Sequence, residues 1–123
     1  MKKILLVDDE EMILSVADEM IQVLGYNVIT ARDGQEALDT YRDKKDQIDM
    51  VILDLIMPGM GGGETFDQLK SLNPDVKVLL SSGYSINGQA STILKRGCRG
   101  FIQKPFSLQA LSQKISTTIA AGD

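Results

Sequence analysis

The sequence contains no histidine among its 123 residues. This absence excludes histidine acid–base catalysis, histidine metal ligands and a phosphohistidine carried on this chain. Cys98 is the single cysteine, which excludes an internal disulfide and a cysteine zinc site and favours a reducing, cytoplasmic setting. No apolar run approaches the ~18 residues of a membrane span. The apolar segment after Lys3 is also too short for a signal peptide.

Basic residues are outnumbered, with 13 Lys and Arg against 17 Asp and Glu and a net charge of −4. Because nucleic acid is polyanionic, this balance disfavours direct nucleic-acid binding. Hydrophobic residues make up 43% of the chain and charged residues 24%, which excludes a disordered protein. A chain of this length can bury a core without disulfides, so we expect residues 1–123 to form a single domain.

Short apolar runs alternate with amphipathic stretches along the whole chain. Continuous apolar runs are typical of strands that are covered on both faces. Five such runs predict strands near residues 4–7, 28–29, 50–53, 76–80 and 101–102. Between them, apolar residues recur at helical spacing, and the first such face comprises Ile13, Val16, Ala17, Met20 and Leu24.

Local signals mark where the helices begin and end. Asp33 and Glu36 form a capping box that opens the second helix, and Ser107 caps the last one. Gly25 and Gly97 stand where helix C-termini are expected. Five strands and five helices in strict alternation predict an α/β fold, in which a parallel sheet carries helices on both faces through right-handed crossovers.

Ligands of such folds bind outside the carboxyl ends of the strands, so the residues there are the candidate functional residues. Thr30 and Arg32, near the end of the second strand, carry no chemical signal. The other four strands are followed by carboxylates, hydroxyls and one ammonium: Asp8 and Asp9, then Asp54, then Ser81 and Ser82, then Lys104. We therefore expect these groups to gather at one edge of the sheet.

The predicted cluster carries surplus negative charge. Three ionised aspartates and one lysine leave a net charge of −2. Like charges ~4 Å apart repel by ~4 kcal/mol at an effective dielectric constant near 20. Either one carboxylate retains a proton or a cation binds. Because all available ligands are hard oxygens, Mg²⁺ is favoured over Ca²⁺ or Mn²⁺.

Each candidate also has a simpler interpretation. Asp8 and Asp9 could cap the following helix, since Asp is a favoured N-cap. Asp54 could be a solvated turn residue and Lys104 an ordinary surface lysine, while Ser82 alone carries little information. The joint occurrence of these residue types at four strand ends is what favours a site.

Other phosphate chemistries can be tested against the same residues. No glycine-rich turn ends in Lys-Ser or Lys-Thr, as a P-loop requires. The acidic turn from Asp8 to Glu11 would repel the phosphate of a dinucleotide or flavin. A phosphatase that forms an aspartyl phosphate would need a second Asp two residues after Asp54, where Ile56 stands.

These motifs together resemble the receiver domain of bacterial two-component response regulators, over residues 3–120. The resemblance implies a flavodoxin-like (βα)₅ fold with strand order 2-1-3-4-5. Residues 81–85 are also similar to receivers attached to the C-terminus of hybrid sensor histidine kinases. The motifs are the Asp8-Asp9 pair, Asp54 within the segment 53–59, Ser82-Gly83 and Lys104-Pro105-Phe106.

The resemblance implies a phosphorylation site and a metal site. Asp54 would accept a phosphoryl group from the phosphohistidine of a sensor histidine kinase or a histidine phosphotransfer domain. Asp9, Asp54 and the backbone carbonyl of Ile56 would ligate Mg²⁺, and Asp8 would act on the metal through water. Catalysis of phosphoryl transfer is mostly positioning and charge stabilisation, which suits these groups.

The resemblance also implies a switch. Ser82 and Lys104 would each bind an oxygen of the phosphoryl group, and Ser82 would move toward it. Phe101 would then fill the vacated space and alter the face formed by the fourth helix, fifth strand and fifth helix, where a downstream effector protein binds. The simpler interpretation of Phe101 is core packing.

Two further hypotheses concern residues around the site. Ile56 and Tyr84 stand where many relatives carry polar residues, so we expect their apolar bulk to hinder the attacking water and lengthen the phosphorylated lifetime. Met12, Ser15 and Phe106 are predicted docking residues for a donor helix bundle, although Met12 could equally belong to the core.

Two other classes of function remain open from the sequence. One is a protein-interaction module of the same fold that is never phosphorylated, and the other is a Mg²⁺-dependent hydrolase of phosphorylated metabolites. Under the leading prediction the chain catalyses only its own phosphorylation and dephosphorylation, so it is not an enzyme acting on an external substrate. We expect either a stand-alone receiver or a segment of a larger kinase or regulator.

Overall fold

The computed structural model describes residues 2–84 and 88–120. Within these residues, five parallel strands lie in the order β2-β1-β3-β4-β5, and five helices alternate with them, which confirms the predicted fold. The strands are β1 (Lys3–Val7), β2 (Asn27–Ala31), β3 (Met50–Asp54), β4 (Val78–Ser82) and β5 (Gly100–Gln103). The helices are α1 (Glu11–Val23), α2 (Gly34–Lys44), α3 (Gly62–Leu72), α4 (Gly88–Lys95) and α5 (Leu108–Ala120). Of these ten elements, no helix has the length and apolar character that crossing a membrane requires.

The hydrophobic core is divided in two by the sheet, because successive strand side chains point to opposite faces. Leu53 of β3 packs on the side of α2, α3 and α4, together with the fully buried Phe66 and Leu69 of α3. Ile52, its neighbour in β3, packs on the other side with α1 and α5. All five residues of β3 are buried, so this central strand is covered on both faces, as predicted.

The first helix departs from the prediction. Val16 was expected on the buried face of α1 but is 53% exposed, whereas Leu14 and Ile21 are buried beside Ala17. The reason is that α1 carries apolar residues around more of its circumference than one face can hold. The predicted face therefore meets the core through Ala17, Met20 and Leu24, and the prediction was wrong about Val16.

The strand boundaries also differ by a few residues at the carboxyl ends. Asp54, Ser81 and Ser82 were expected to follow their strands but are the last residues within them. The sheet continues this far because Asp54 pairs in register with Ser81, and the Leu55 N–H donates to the Ser81 carbonyl at 2.8 Å. The candidate site therefore begins on the ends of the strands themselves.

The predicted helix N-caps of α2 and α5 are present. The Asp33 side chain accepts a hydrogen bond from the Glu36 N–H at 2.8 Å, and the Ser107 hydroxyl accepts one from the Ala110 N–H at 3.0 Å. The reciprocal half of the capping box differs, because the Glu36 carboxylate accepts from the N–H of Arg32, at 3.3 Å. These caps fix where the helices leave the carboxyl edge of the sheet.

Candidate functional site

Three carboxylates converge at the carboxyl edge of the sheet. Asp8 directly follows β1, and Asp54 ends the neighbouring strand β3. One oxygen from each of Asp8, Asp9 and Asp54 lies within 4.8 Å of the others. Asp8 and Asp54 are buried, while Asp9 is exposed. The structure thus brings together the three aspartates that the sequence singled out, with one of them open to solvent.

Lys104 reaches into this cluster from the end of β5. Its Nζ donates to Asp8 Oδ2 at 2.8 Å and to Asp54 Oδ1 at 3.2 Å. Its backbone N–H donates to the Ser82 carbonyl at 2.7 Å, which continues the pairing of β5 with β4. The Lys104 side chain is only 9% exposed. It is therefore a buried bridging cation and not a surface lysine.

The burial and charges perturb the ionisation of this cluster. Burial, together with the adjacent charge of Asp8, raises the pKa of Asp54 to about 6, although Lys104 opposes the change. Burial lowers the pKa of Lys104, but its hydrogen bonds and ion pairs with Asp8 and Asp54 outweigh this and leave the pKa above its ordinary value. Lys104 is consequently charged at neutral pH, and Asp54 lies near its titration midpoint in mildly acidic solution.

Asp8 and Asp9 are not the N-cap of the first helix. The N-cap position of α1 is Glu10, whose side chain makes no capping hydrogen bond. Asp8 instead accepts the Glu10 N–H on Oδ1 at 2.9 Å and pairs with Lys104 through Oδ2. These bonds fix the orientation of the Asp8 carboxylate toward the cluster. The helix-cap interpretation of the aspartate pair is therefore wrong.

Ser82 ends β4, one residue beyond Ser81, which pairs in register with Asp54. Its side chain is buried, and its hydroxyl accepts the Tyr84 N–H at 3.1 Å. A hydroxyl that accepts one hydrogen bond still has its own proton to donate. The Ser82 hydroxyl therefore keeps a proton that it can donate while it accepts the Tyr84 N–H.

Comparison with known proteins identifies the family. Residues 4–116 match the response regulator receiver domain family. The chain belongs to this family. It is similar in structure to a response regulator receiver domain protein from Clostridium thermocellum, with a TM-score of 0.92 and 30% identity over 97% of this chain and 94% of that one. This result confirms the resemblance that was inferred from the motifs.

Two other relatives of this receiver are informative. A chain of the CheX-CheY-BeF₃-Mg²⁺ complex from Borrelia burgdorferi matches with a TM-score of 0.91 and 27% identity, over 97% of the receiver and 90% of that chain. The sensor kinase CckA of Brucella abortus is 32% identical over 120 residues, which are 98% of the receiver and 13% of that protein. The receiver spans no more than half the length of the first curated relatives that it matches.

Phe101 occupies β5 of the receiver, in register with Leu80 of β4. It is half-buried and packs against the core on the side of α2, α3 and α4. The core-packing interpretation therefore describes Phe101 in this structure, and its role as a switch stays a prediction. Residue 85, part of the segment similar to hybrid-kinase receivers, lies outside the described residues.

A groove of about 710 Å³ opens from the site of the receiver across α1. Its floor includes Asp54, Ser82 and Lys104, and its walls are mainly apolar, although Glu10 also lines it. The walls come from α1, from the loops after β3 and β4, and from the segment after β5, with Ile13, Val16, Met20, Ile56, Tyr84, Pro105 and Phe106 among the lining residues.

The groove accounts for the apolar residues of α1 that lie outside the core, such as Val16. Met12 also lines it and is 80% exposed, so the core alternative for Met12 is wrong. Ser15 is exposed on the same helix. The signal that could have revealed the groove is the number of apolar residues in α1, which exceeds what one buried face needs.

Proposed function

We propose that residues 1–123 form a single receiver domain that accepts a phosphoryl group on Asp54 from a phosphohistidine of a partner protein. The observation that carries this proposal is the arrangement of Asp54, a buried carboxylate hydrogen-bonded to Lys104 beside two further aspartates, at the floor of an open groove. In the reaction, an Asp54 oxygen forms a bond to phosphorus while the phosphorus–nitrogen bond breaks and its electron pair returns to the imidazole. The product is an acyl phosphate.

Lys104 and Ser82 are proposed to stabilise the transferred group. The Lys104 ammonium, which contacts Asp54 Oδ1 at 3.2 Å, would bind an oxygen of the phosphoryl group. The Ser82 hydroxyl supplies a second donor to another oxygen. Preorganised donors in a buried site stabilise developing charge more strongly than water does, because they need little reorganisation.

The cluster also fits a Mg²⁺ ion. Three carboxylates with oxygens within 4.8 Å of one another provide the hard ligands that Mg²⁺ prefers, and their charge exceeds that of Lys104. We assign direct ligation to Asp9, Asp54 and the backbone carbonyl of Ile56, with Asp8 acting through water. Bound Mg²⁺ would supply charge neutralisation for the phosphoryl oxygens.

The donor is proposed to be a sensor histidine kinase or a histidine phosphotransfer domain, because this chain has no histidine of its own. Met12, Ser15 and Phe106 are the proposed docking residues. Met12 and Phe106 line the apolar groove, and Ser15 is exposed on the same helix. An apolar groove of this kind accommodates the apolar face of a helix.

Phosphorylation is proposed to act as a switch and not as turnover of a metabolite. Movement of Ser82 toward the phosphoryl group would bias the position of Phe101 and change the face formed by α4, β5 and α5, to which a downstream effector binds. The chain would then catalyse only its own phosphorylation and dephosphorylation, in the cytoplasm. Signalling is commonly based on a local change of charge that shifts the populations of two conformations.

The test is incubation with acetyl phosphate and Mg²⁺ followed by intact-mass measurement. We expect a mass increase of one phosphoryl group that is absent from Asp54→Ala. Asp43→Ala removes an exposed aspartate of α2 and should leave the adduct unchanged. No adduct on the unaltered chain would favour an unphosphorylated interaction module, and sustained phosphate release would favour a hydrolase; either result would overturn the proposal.

A further inference from the structure

The charges of the chain are divided unequally along its length. Between residues 76 and 122 the sequence contains six Lys and Arg residues and no Asp or Glu. Since 17 of the 123 residues are acidic, a segment of this length would be expected to hold about six carboxylates. The net charge of −4 therefore conceals a strongly acidic segment, residues 1–75, and a purely basic segment, residues 76–122, which only Asp123 follows.

Because of the sheet topology, the acidic and basic segments of the sequence lie on different sides of the molecule. Strand order β2-β1-β3-β4-β5 places β4 and β5, with α4 and α5, at one end of the sheet. Helix α5 packs against both of these strands. The elements at the opposite end, α1 and α2, carry most of their charge as carboxylates, including Glu19, Asp39 and Asp43.

Some cations of the basic side are already engaged. Lys104 pairs with Asp8 and Asp54, and Arg96 pairs with Asp67 of α3 at 3.0 Å. The Lys77 ammonium donates to the Ile119 carbonyl. These three cannot serve an outside partner without losing an internal contact.

Three other cations have no ion pair to any residue in the described ranges 2–84 and 88–120. Lys95 ends α4, Arg99 directly precedes β5, and Lys114 lies in the middle of α5. Lys95 and Lys114 are exposed and Arg99 is half-buried. These three residues, which we call the basic face, flank β5, which in the described sheet pairs only with β4.

We propose that the basic face binds an acidic protein segment, one rich in Asp and Glu, of the downstream effector. This inference rests on the proposed function, because it specifies the chemistry of the partner that binds at α4, β5 and α5. No carboxylate in those elements competes for the three cations. Complementary charge across an interface speeds encounter and excludes partners of the same sign.

A second copy of this chain does not fit the same face. A symmetric dimer uses the same patch on both subunits, so it would place Lys95, Arg99 and Lys114 against the same cations. Nucleic acid fits less well than an acidic protein, because protein–DNA complexes commonly rest on roughly 6–10 phosphate contacts. The basic face offers three unpaired cations, and the rest of the chain is acidic.

The proposal is testable with a labelled peptide of alternating glutamate and leucine, using fluorescence anisotropy at low salt. We expect the receiver to bind it more tightly than a matched glutamine–leucine peptide. The triple variant Lys95→Glu, Arg99→Glu, Lys114→Glu should weaken binding about ten-fold or more, as expected when three exposed ion pairs are lost. The control triple Lys2→Glu, Lys44→Glu, Lys45→Glu changes the net charge equally at exposed positions and should retain binding.

Several results would overturn this assignment. They are equal binding of the two peptides, equal losses in the two triple variants, tighter binding of duplex DNA than of the acidic peptide, and dimerisation of the receiver that the first triple variant abolishes. The phosphoryl adduct on Asp54, measured by mass in the same samples, separates the two proposals. An adduct without peptide discrimination contradicts only the basic-face proposal, and peptide discrimination without an adduct contradicts only phosphorylation.

Discussion

The interior of the sheet and its carboxyl edge are built on the same strands with opposite physical chemistry. Leu53 is fully buried among apolar side chains, whereas the next residue of β3, Asp54, is buried beside Asp8 and Lys104. Burial of Leu53 stabilises the fold, since apolar surface leaves water. Burial of Asp54 opposes ionisation, which is why its pKa rises to about 6. Within β3, the step from Leu53 to Asp54 therefore separates residues that stabilise the fold by apolar burial from a buried residue whose ionisation is perturbed.

The largest expected effect on stability lies in the interior. Phe66→Ala should lower the free energy of unfolding by roughly 3–5 kcal/mol, because it removes a fully buried ring and leaves a cavity. Urea denaturation measures this change. Divalent-ion uptake by the folded variant should match that of the unaltered receiver. If divalent-ion uptake were impaired under conditions where the variant is fully folded, the packing of the interior and the metal site at the carboxyl edge would not be independent.

Lys104→Met should be the next most damaging change, at roughly 3 kcal/mol of unfolding free energy, because it leaves Asp8 and Asp54 without their shared cation. It should also slow phosphorylation by acetyl phosphate roughly 100-fold, since a preorganised cationic donor is lost. The double variant Lys104→Met/Asp54→Asn should recover part of the stability and none of the phosphorylation. If the double variant were no more stable than Lys104→Met, the charges of Asp8 and Asp54 would not be the cause of the lost stability.

The free energy of unfolding should also depend on pH through the carboxyl edge, when it is measured with a chelator that removes divalent ions. The folded pKa of Asp54, about 6, is above its ordinary value of 3.8, so the folded state retains a proton that the unfolded state releases. Stability contributed by this group is therefore full below about pH 4, falls as the pH rises through 6 and stays low above it. Relative to the Asp54→Asn variant, the free energy of unfolding of the receiver should fall by roughly 2 kcal/mol between pH 4 and pH 7. A pH-independent difference between the two proteins would contradict this.

The smallest expected effect concerns the walls of the groove next to the acceptor. Ile56 and Tyr84 are 52% and 66% exposed and line the groove that contains Asp54. Replacing both with serine should shorten the lifetime of the phosphoryl adduct roughly ten-fold, because water reaches the acyl phosphate more freely. The decay is followed by mass after removal of acetyl phosphate. Val23→Ser, on an exposed residue of α1 away from the acceptor, is a suitable control, and an unchanged lifetime in the double variant would refute the hypothesis.

Much of the fold was predictable because the strands are almost purely apolar and the helix ends carry local signals. Gly25 and Gly97, for example, adopt φ values of 96° and 108° at predicted helix ends. The burial of Leu14 in place of Val16 in α1 was not predictable, since both residues are apolar and only tertiary packing distinguishes them. The end of β4 was missed because Ser81 and Ser82 are polar, although their backbones remain in the sheet.

The convergence of the candidate site residues was predictable, because parallel strands end at one edge of the sheet and the residues that follow them lie close together there. The sequence could not show that Lys104 bridges Asp8 and Asp54, or that Asp8 also binds the backbone of its own turn. Such contacts depend on side-chain positions within a fraction of an ångström, which no local pattern encodes. The position of Phe101 against the core likewise depends on which packing arrangement the whole domain adopts.

Asp54 belongs to the central strand, which is hydrogen-bonded to a neighbour on each side and completely enclosed. The backbone of β3 therefore has little room to move when a group is attached to this carboxylate. The displacement it causes must be taken up by the surrounding loops, at Gly83–Tyr84 and at Pro105–Phe106. Under the proposed phosphorylation, amide hydrogen exchange should accordingly stay slow in β3 and change at those loops, so that the strand carrying the modified residue moves less than the loops around it.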